Sequence, residues 1–291
     1  MTTPKMIAGP DQNPVKPSLV LPEGACDSHC HIFGPGNIFP YHPNRSYTPP
    51  DAGKETLKAL HDHLGISRAV IVHASCHGTF MDATLDAIAS SNGNYRGTAM
   101  VEKDVSDAEL RRLHEGGIRA VRFNFVKHLE SVPDPEEVRR MADRVKEMGW
   151  HLVVHLDAVD IDELSPLLLD LPVPFLIDHM ARVKASEGID QPAFKTLLDL
   201  MGHENAWVKI CGGERVSSQD APFHDAIPFA QALIAAAPTR VLWGTDFPHP
   251  NVRIMPNDGE LVNLFGEYTS DPAVQKQILV DNPSTLYFDV N

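Results

Sequence analysis

Cysteine is scarce in this chain: Cys26, Cys30, Cys76 and Cys211 are the only four, and none form a C-x-x-C pair. Four are too few to staple 291 residues, which excludes a disulfide framework. Positive charge is short as well, with 25 Lys and Arg against 39 Asp and Glu and a formal charge of −14. Nucleic acid demands the opposite balance, so it is excluded as a partner. No apolar run approaches the ~18 residues of a membrane span, so no membrane partner is expected. The opening stretch MTTPKMIAGPDQNPVKPSLVLPEG lacks the continuous apolar core of a secretion signal. These absences lead us to expect a cytoplasmic globular protein. Residues 1–24 read as an extended arm able to drape over a neighbouring subunit of a homo-oligomer.

What is present is a repeated unit. Short apolar runs rich in Val, Ile and Phe alternate with longer amphipathic stretches, and no low-complexity linker divides them after residue 25. The runs are CDSHCHIF, RAVIVHAS, YRGTAMV, IRAVRFNF, WHLVVHL, VPFLIDH, AWVKICG and RVLWGTD. Between them, SDAE (106–109) and DPEE (134–137) carry helix-starting residues, and EGG and MGW supply glycines at helix ends. Strands that alternate with helices pair in parallel through right-handed crossovers. Eight of them predict an α/β fold, a single-domain (β/α)8 TIM barrel over residues 25–291, with two further helical segments at the C-terminal end. The first strand is not followed by G-x-G-x-x-G, which argues against an open doubly wound sheet.

In such a barrel chemistry collects at the C-terminal ends of the strands. The first strand offers His29 and His31, which share a face because side chains alternate. Later strands offer Ser75 and His77, Arg122 and Asn124, His155, Asp178 and His179, and Asp246 followed by His249 and Asn251. His29, His31, His155 and Asp246 make a zinc-type ligand set, although each alone has a structural reading. Cys30 reads as packing, and His73 and His151 as satisfied structural histidines. His61, His63, His114, His203 and His224 read as helix-surface residues without function.

Four segments carry a resemblance along nearly the whole chain: DSHCHIFGP, DAGKETLKALHDHLGISRAVIVHASCHGT, LHEGGIRAVRFNF and WGTDFPHPN. The chain resembles the amidohydrolase superfamily in its amidohydrolase-2 branch. Within it, ASCHG and RFNF resemble the 2-pyrone-4,6-dicarboxylate lactonases and sulfomuconolactone hydrolases of bacterial aromatic catabolism. The resemblance implies hydrolysis of an unsaturated, doubly anionic lactone, assisted by one divalent metal, Zn2+ or else Mn2+, on His29, His31, His155 and Asp246. Asp246 would also be the general base, and His179 would stabilise the oxyanion or shuttle a proton. Tyr47, Ser75, Arg122, Arg215 and Asn251 would hold the substrate's carboxylates and carbonyl. Two positions depart from the metal-free lactonases. His155 replaces a tyrosine, and Lys127 with His128 stands near the place of an arginine, which suggests a different second anion such as a sulfonate. A metal-dependent decarboxylase of an aromatic acid is the alternative, and a non-catalytic binding protein a distant third.

Overall fold

Eight strands pair in parallel, in chain order, with helices between them. They are β1 (Cys26–Cys30), β2 (Arg68–Val72), β3 (Tyr95–Ala99), β4 (Ile118–Asn124), β5 (His151–His155), β6 (Phe175–Ile177), β7 (Ala206–Lys209) and β8 (Val241–Leu242). The structure, a computed structural model, describes residues 4–127 and 132–290. The apolar runs are strands because β-branched residues suit a sheet whose two faces are both covered. The amphipathic stretches are helices, beginning with α1 (Lys54–Leu64), α2 (Asp82–Ala89), α3 (Asp107–Glu115) and α4 (Pro135–Lys146). The side chain of Ser106 caps α3 by accepting from Glu109 N–H, as the sequence anticipates, and Asp134 caps α4 by accepting from Glu136 N–H. No helix among the described residues is long and apolar enough to cross a membrane.

The predicted barrel is the fold, but its last strand is only two residues long, so the ring closes beyond it. Ser28 N–H donates to Trp243 C=O (2.9 Å), Asp246 N–H to His29 C=O (2.7 Å) and His31 N–H to Phe247 C=O (2.7 Å). The Asp27 carboxylate locks this seam. One oxygen accepts from the backbone N–H groups of His29 and Thr245, both at 3.0 Å, and the other from the Thr245 hydroxyl at 2.6 Å. Gly244 lets the two segments touch: a Cβ there would lie 2.4 Å from His29 N.

Inside the ring, Cys26, Val70, Ala120, Val153, Leu176, Trp207 and Leu242 form one apolar cluster, closed by Leu286 and Tyr287 of the C-terminal segment. This is the barrel floor. With a period of two, the next inward residues toward the strand ends are Arg122, His155, Asp178 and Lys209. In β1 the pairing with β2 shifts between Asp27 and Cys30, and through this shift His29 and His31 both come beside Asp246. The alternation that builds the floor therefore also delivers the polar groups above it.

Two expectations, for His61 and His151, are corrected here, and the path of the arm is seen. The arm lies on its own barrel. Lys5–Met6 pairs with Tyr47–Thr48, and Val15 and Ser18 donate backbone N–H groups to the side chains of Asn257 and Asn263. His61 is buried, with Nε2 3.1 Å from Asp27 Oδ2, because it shares the buried face of α1 with Leu57, Leu60 and Leu64. His151 is not satisfied by hydrogen bonds: neither ring nitrogen has a partner among the described residues, and the ring meets Tyr287 edge-on at 4.6 Å.

Asp27→Ala would strand several buried donors at the seam at once. We expect a loss of ~3 kcal/mol or more, since each unsatisfied buried group costs ~1–3 kcal/mol. Urea unfolding measures it, and a loss below ~1 kcal/mol would show that the seam does not depend on this carboxylate.

Candidate active site

At the open end of the seam, His29, His31 and Asp246 converge so that one ligand atom from each lies within 4.8 Å of the others. His31 Nδ1 lies 2.8 Å from the carbonyl of Val72, so this nitrogen carries the proton and donates. In the neutral ring Nε2 then holds a lone pair, yet it lies 3.2 Å from Asp246 Oδ1. Two acceptors at that distance call for a positive centre between them. His29 Nε2, 3.4 Å from the same oxygen, has no hydrogen-bond partner among the described residues. An open lone pair, a second one facing a carboxylate, and complete burial are what a divalent cation requires, so these residues fit a metal.

Behind the histidines runs a buried ionic chain. Lys209, fully buried, places Nζ 3.1 Å from His29 Nδ1 and 3.1 Å from Asp178 Oδ1. Asp178 also accepts from Arg122 through Nε at 3.0 Å, and its other oxygen is 3.4 Å from His29 Nδ1. If Asp178 takes the Nδ1 proton of His29, Nε2 is left free to ligate, the arrangement by which a carboxylate orients a metal-binding imidazole. Burial, with the Lys209 ammonium next, pulls His29 down to about 4. Burial likewise holds His155 and His179 well below the ordinary imidazole range. Burial opposes ionisation of Asp246, but Arg215, whose Nε donates to Oδ2 at 2.6 Å, and the neighbouring His179, His31 and His29 together hold the carboxyl well below the usual carboxylate range.

Above this floor opens a cavity, and most of the residues expected from the sequence line it. Tyr47, Ser75, Arg122, His155, His179, Arg215, Asn251, His31 and Asp246 are all on its wall. His179 Nε2 lies 4.0 Å from Asp246 Oδ1, and its ring 4.5 Å from that of His29. His155 does not join the cluster of His29, His31 and Asp246. It sits beside His179 at 5.7 Å between ring centroids, with both nitrogens lacking partners among the described residues. Lys127 is off the cavity wall: its Nζ pairs with Asp160 at 2.6 Å and its side chain is 66% exposed. His128 lies outside the described residues.

The sequence reading missed Lys209, Arg182 and Glu214. Lys209 carried a signal, a lone lysine at an inward position of an apolar strand, which must find a buried anion. Arg182 lines the cavity three residues after His179. Glu214 is buried with neither oxygen in a hydrogen bond, and burial pushes its carboxyl up.

The profile of the amidohydrolase family matches residues 26–288. The chain is 45% identical over 286 residues to a 2-pyrone-4,6-dicarboxylate hydrolase of Comamonas testosteroni, covering 95% of this chain and 94% of that one. It is 39% identical over 282 residues to a 4-sulfomuconolactone hydrolase of Hydrogenophaga intermedia, covering 96% and 92%. A crystal structure from Acinetobacter baumannii, described as a 2-pyrone-4,6-dicarboxylic acid hydrolase with citric acid bound, superposes with a TM-score of 0.80 at 25% identity, covering 91% of this chain and 99% of that one.

Protonation competes with metal for an imidazole. His29 in this site titrates at about 4 instead of the ordinary 6.5, so it stays neutral to lower pH than a free imidazole. Protein loaded with Zn2+ should therefore keep its ion at pH ~6 and release it only below pH ~5. Metal per subunit after dialysis across that range tests this, and half-release near pH ~6.5 would contradict it.

Proposed function

This chain belongs to the amidohydrolase family, and on that premise we propose that it hydrolyses an unsaturated, doubly anionic lactone. The substrate is of the 4-sulfomuconolactone or 2-pyrone-4,6-dicarboxylate type, which makes the protein a carboxylic ester hydrolase of aromatic-compound breakdown. One observation carries the reading: a charged Asp246 beside His29 and His31 faces a cavity whose wall also bears guanidinium groups. On a chain of charge −14, that local positive wall is where a dianion can settle.

The chemistry follows from the groups present. Water adds to the ester carbonyl, the ring C–O bond breaks, and the product gains a carboxylate. Asp246 accepts the proton of the attacking water and returns it to the oxygen released from the ring. Arg215 holds Asp246 Oδ2, which keeps Oδ1 turned toward His29 and His31. His179 is neutral, so its Nε2–H can donate to the oxyanion as it develops without a charge having to be placed there first. Tyr47 stays protonated because burial raises its phenol, so it donates to a substrate oxygen alongside Ser75 and Asn251. Arg122, whose Nε and Nη2 hold Asp178, has its remaining guanidinium N–H groups for a carboxylate. A divalent ion, Zn2+ or Mn2+, held by His29, His31, Asp246 and the open nitrogen of His155 would polarise the carbonyl or bring a water's pKa toward ~7.

Ultraviolet absorbance follows ring opening of both lactones directly. Metal-replete protein that turns over neither would sink the proposal. Asp246→Asn keeps the shape and removes the base, and turnover should fall by at least ~100-fold. Activity within ~10-fold of wild type would remove Asp246 from the mechanism.

His155→Tyr tests the fourth ligand. The phenol fits the same strand-end position, so the fold should survive while metal per subunit drops sharply after identical purification. A variant that still holds one tightly bound ion would refute ligation by His155.

A further inference from the structure

Three guanidiniums line the cavity, and they are not equally committed. Arg122 directs Nε and Nη2 at Asp178 Oδ2, both at 3.0 Å. Arg215 directs Nε at Asp246 Oδ2 and Nη2 at the carbonyl of Pro250, at 2.6 and 3.0 Å. Arg182 gives only Nε, to Asp157 Oδ1 at 2.7 Å, and Asp157 is itself about a third exposed (32%). The outer edge of Arg182, with Nη1 and Nη2, makes no hydrogen bond to another described residue.

The backbone puts that edge where it is. His179, Met180, Ala181 and Arg182 all have positive φ (52°, 52°, 55° and 54°), although none is glycine. L-residues take this conformation as isolated singles, because Cβ crowds the following carbonyl. Four in a row make one left-handed turn, and Met180 and Ala181 in its middle are completely buried. Packing therefore holds a strained turn whose two ends, His179 and Arg182, both reach the cavity wall. Strain of this kind persists where the surroundings fix it, and here it spaces a reaction group and a cation on one wall.

The balance of charge agrees. Burial of Arg182 is not made good by Asp157, and the neighbouring Arg215 adds to the deficit. An arriving anion would supply the missing counter-charge. We propose that Arg182 is the specificity-determining cation for the second anionic group of the substrate, gripping a carboxylate or sulfonate through Nη1 and Nη2. Lys127, paired with Asp160 and largely in solvent, is not that cation. The proposal rests on the dianionic-lactone reading, but it concerns binding and can be tested without turnover.

The probes are isophthalate, a flat ring with two carboxylates, and benzoate, which has one. Calorimetry measures their binding to metal-loaded wild type, Arg182→Met, Arg182→Lys and Lys127→Met, with thermal midpoints as a check on folding. Arg182→Met should weaken isophthalate by ~30-fold and benzoate by less than ~3-fold, as expected for one lost charged fork. Arg182→Lys should recover part of the loss, because a point charge replaces the fork. On the lactones, Arg182→Met should raise KM and leave kcat within ~3-fold, the pattern of lost binding shared by ground and transition states. Equal weakening of both probes, a larger loss in Lys127→Met, or no preference of wild type for isophthalate would overturn the assignment. If wild type prefers isophthalate through Arg182 yet opens neither lactone, the subsite stands and the proposed reaction falls. If Arg182→Met does not fold, the Arg182→Lys comparison decides alone: unchanged isophthalate and benzoate binding would count against the fork.

Discussion

The carboxylate of Asp27 is the constraint on which the rest of the site depends. A sheet that closes on itself must join its first and last strands, and here the last strand has ended before the junction. Asp27 replaces the missing ladder by accepting from both sides of the seam, at His29 and at Thr245. His61, reaching in from α1, fills the other carboxylate oxygen together with the Thr245 hydroxyl. That junction fixes His29 and His31 against Asp246, residues more than two hundred positions apart. The backbone bonds of that junction bring His31 Nε2 to 3.2 Å from Asp246 Oδ1.

A second constraint is that no charge in the barrel stands alone. Removing ions from water is expensive, and an unpaired one left inside costs several kcal/mol. Positive and negative groups accordingly alternate above the apolar floor, from Arg122 to Asp178 to Lys209, ending on His29, and separately from Arg215 to Asp246. The pairing has a chemical consequence as well as a structural one. Asp178 and Lys209 compete for the same nitrogen of His29, so the protonation of this pair decides whether Nε2 is free to bind a cation. Replacing Asp178 by an apolar residue would leave Nδ1 to Lys209 and move the His29 proton to Nε2.

Much of this was legible in the residues. The alternation of β-branched runs with amphipathic stretches gave the barrel, and H-x-H and the aspartate of WGTD marked two ends of the seam. His61 was legible too, had its spacing to Leu57, Leu60 and Leu64 been weighed above the charged look of KALHDHL. Other features were not. The partner that makes Lys209 a buried cation, Asp178, is supplied by the neighbouring strand, and no local pattern announces it. The docking of the arm depends on Asn257 and Asn263, two polar residues of the kind that are usually solvent-facing. The left-handed turn at His179–Arg182 has no glycine to reveal it, so HMAR reads as an ordinary loop or helix start.

That last failure follows from where the strain lies. Asp246, His249 and Asn251 also have positive φ, at 67°, 61° and 60°. With the turn after β6, they put most of the described non-glycine left-handed residues around one cavity, while no strand residue below is among them. Each such residue costs of order 1–3 kcal/mol against its local preference. Only interactions from elsewhere can offset that, and the molecule supplies them in the apolar cluster inside the ring and the larger one between strands and helices. The lower barrel therefore has a local code, in which pattern and propensity agree with the fold. The upper rim has none, because its geometry is imposed by the packing beneath it. A residue such as Arg182 becomes visible only when the whole barrel is present.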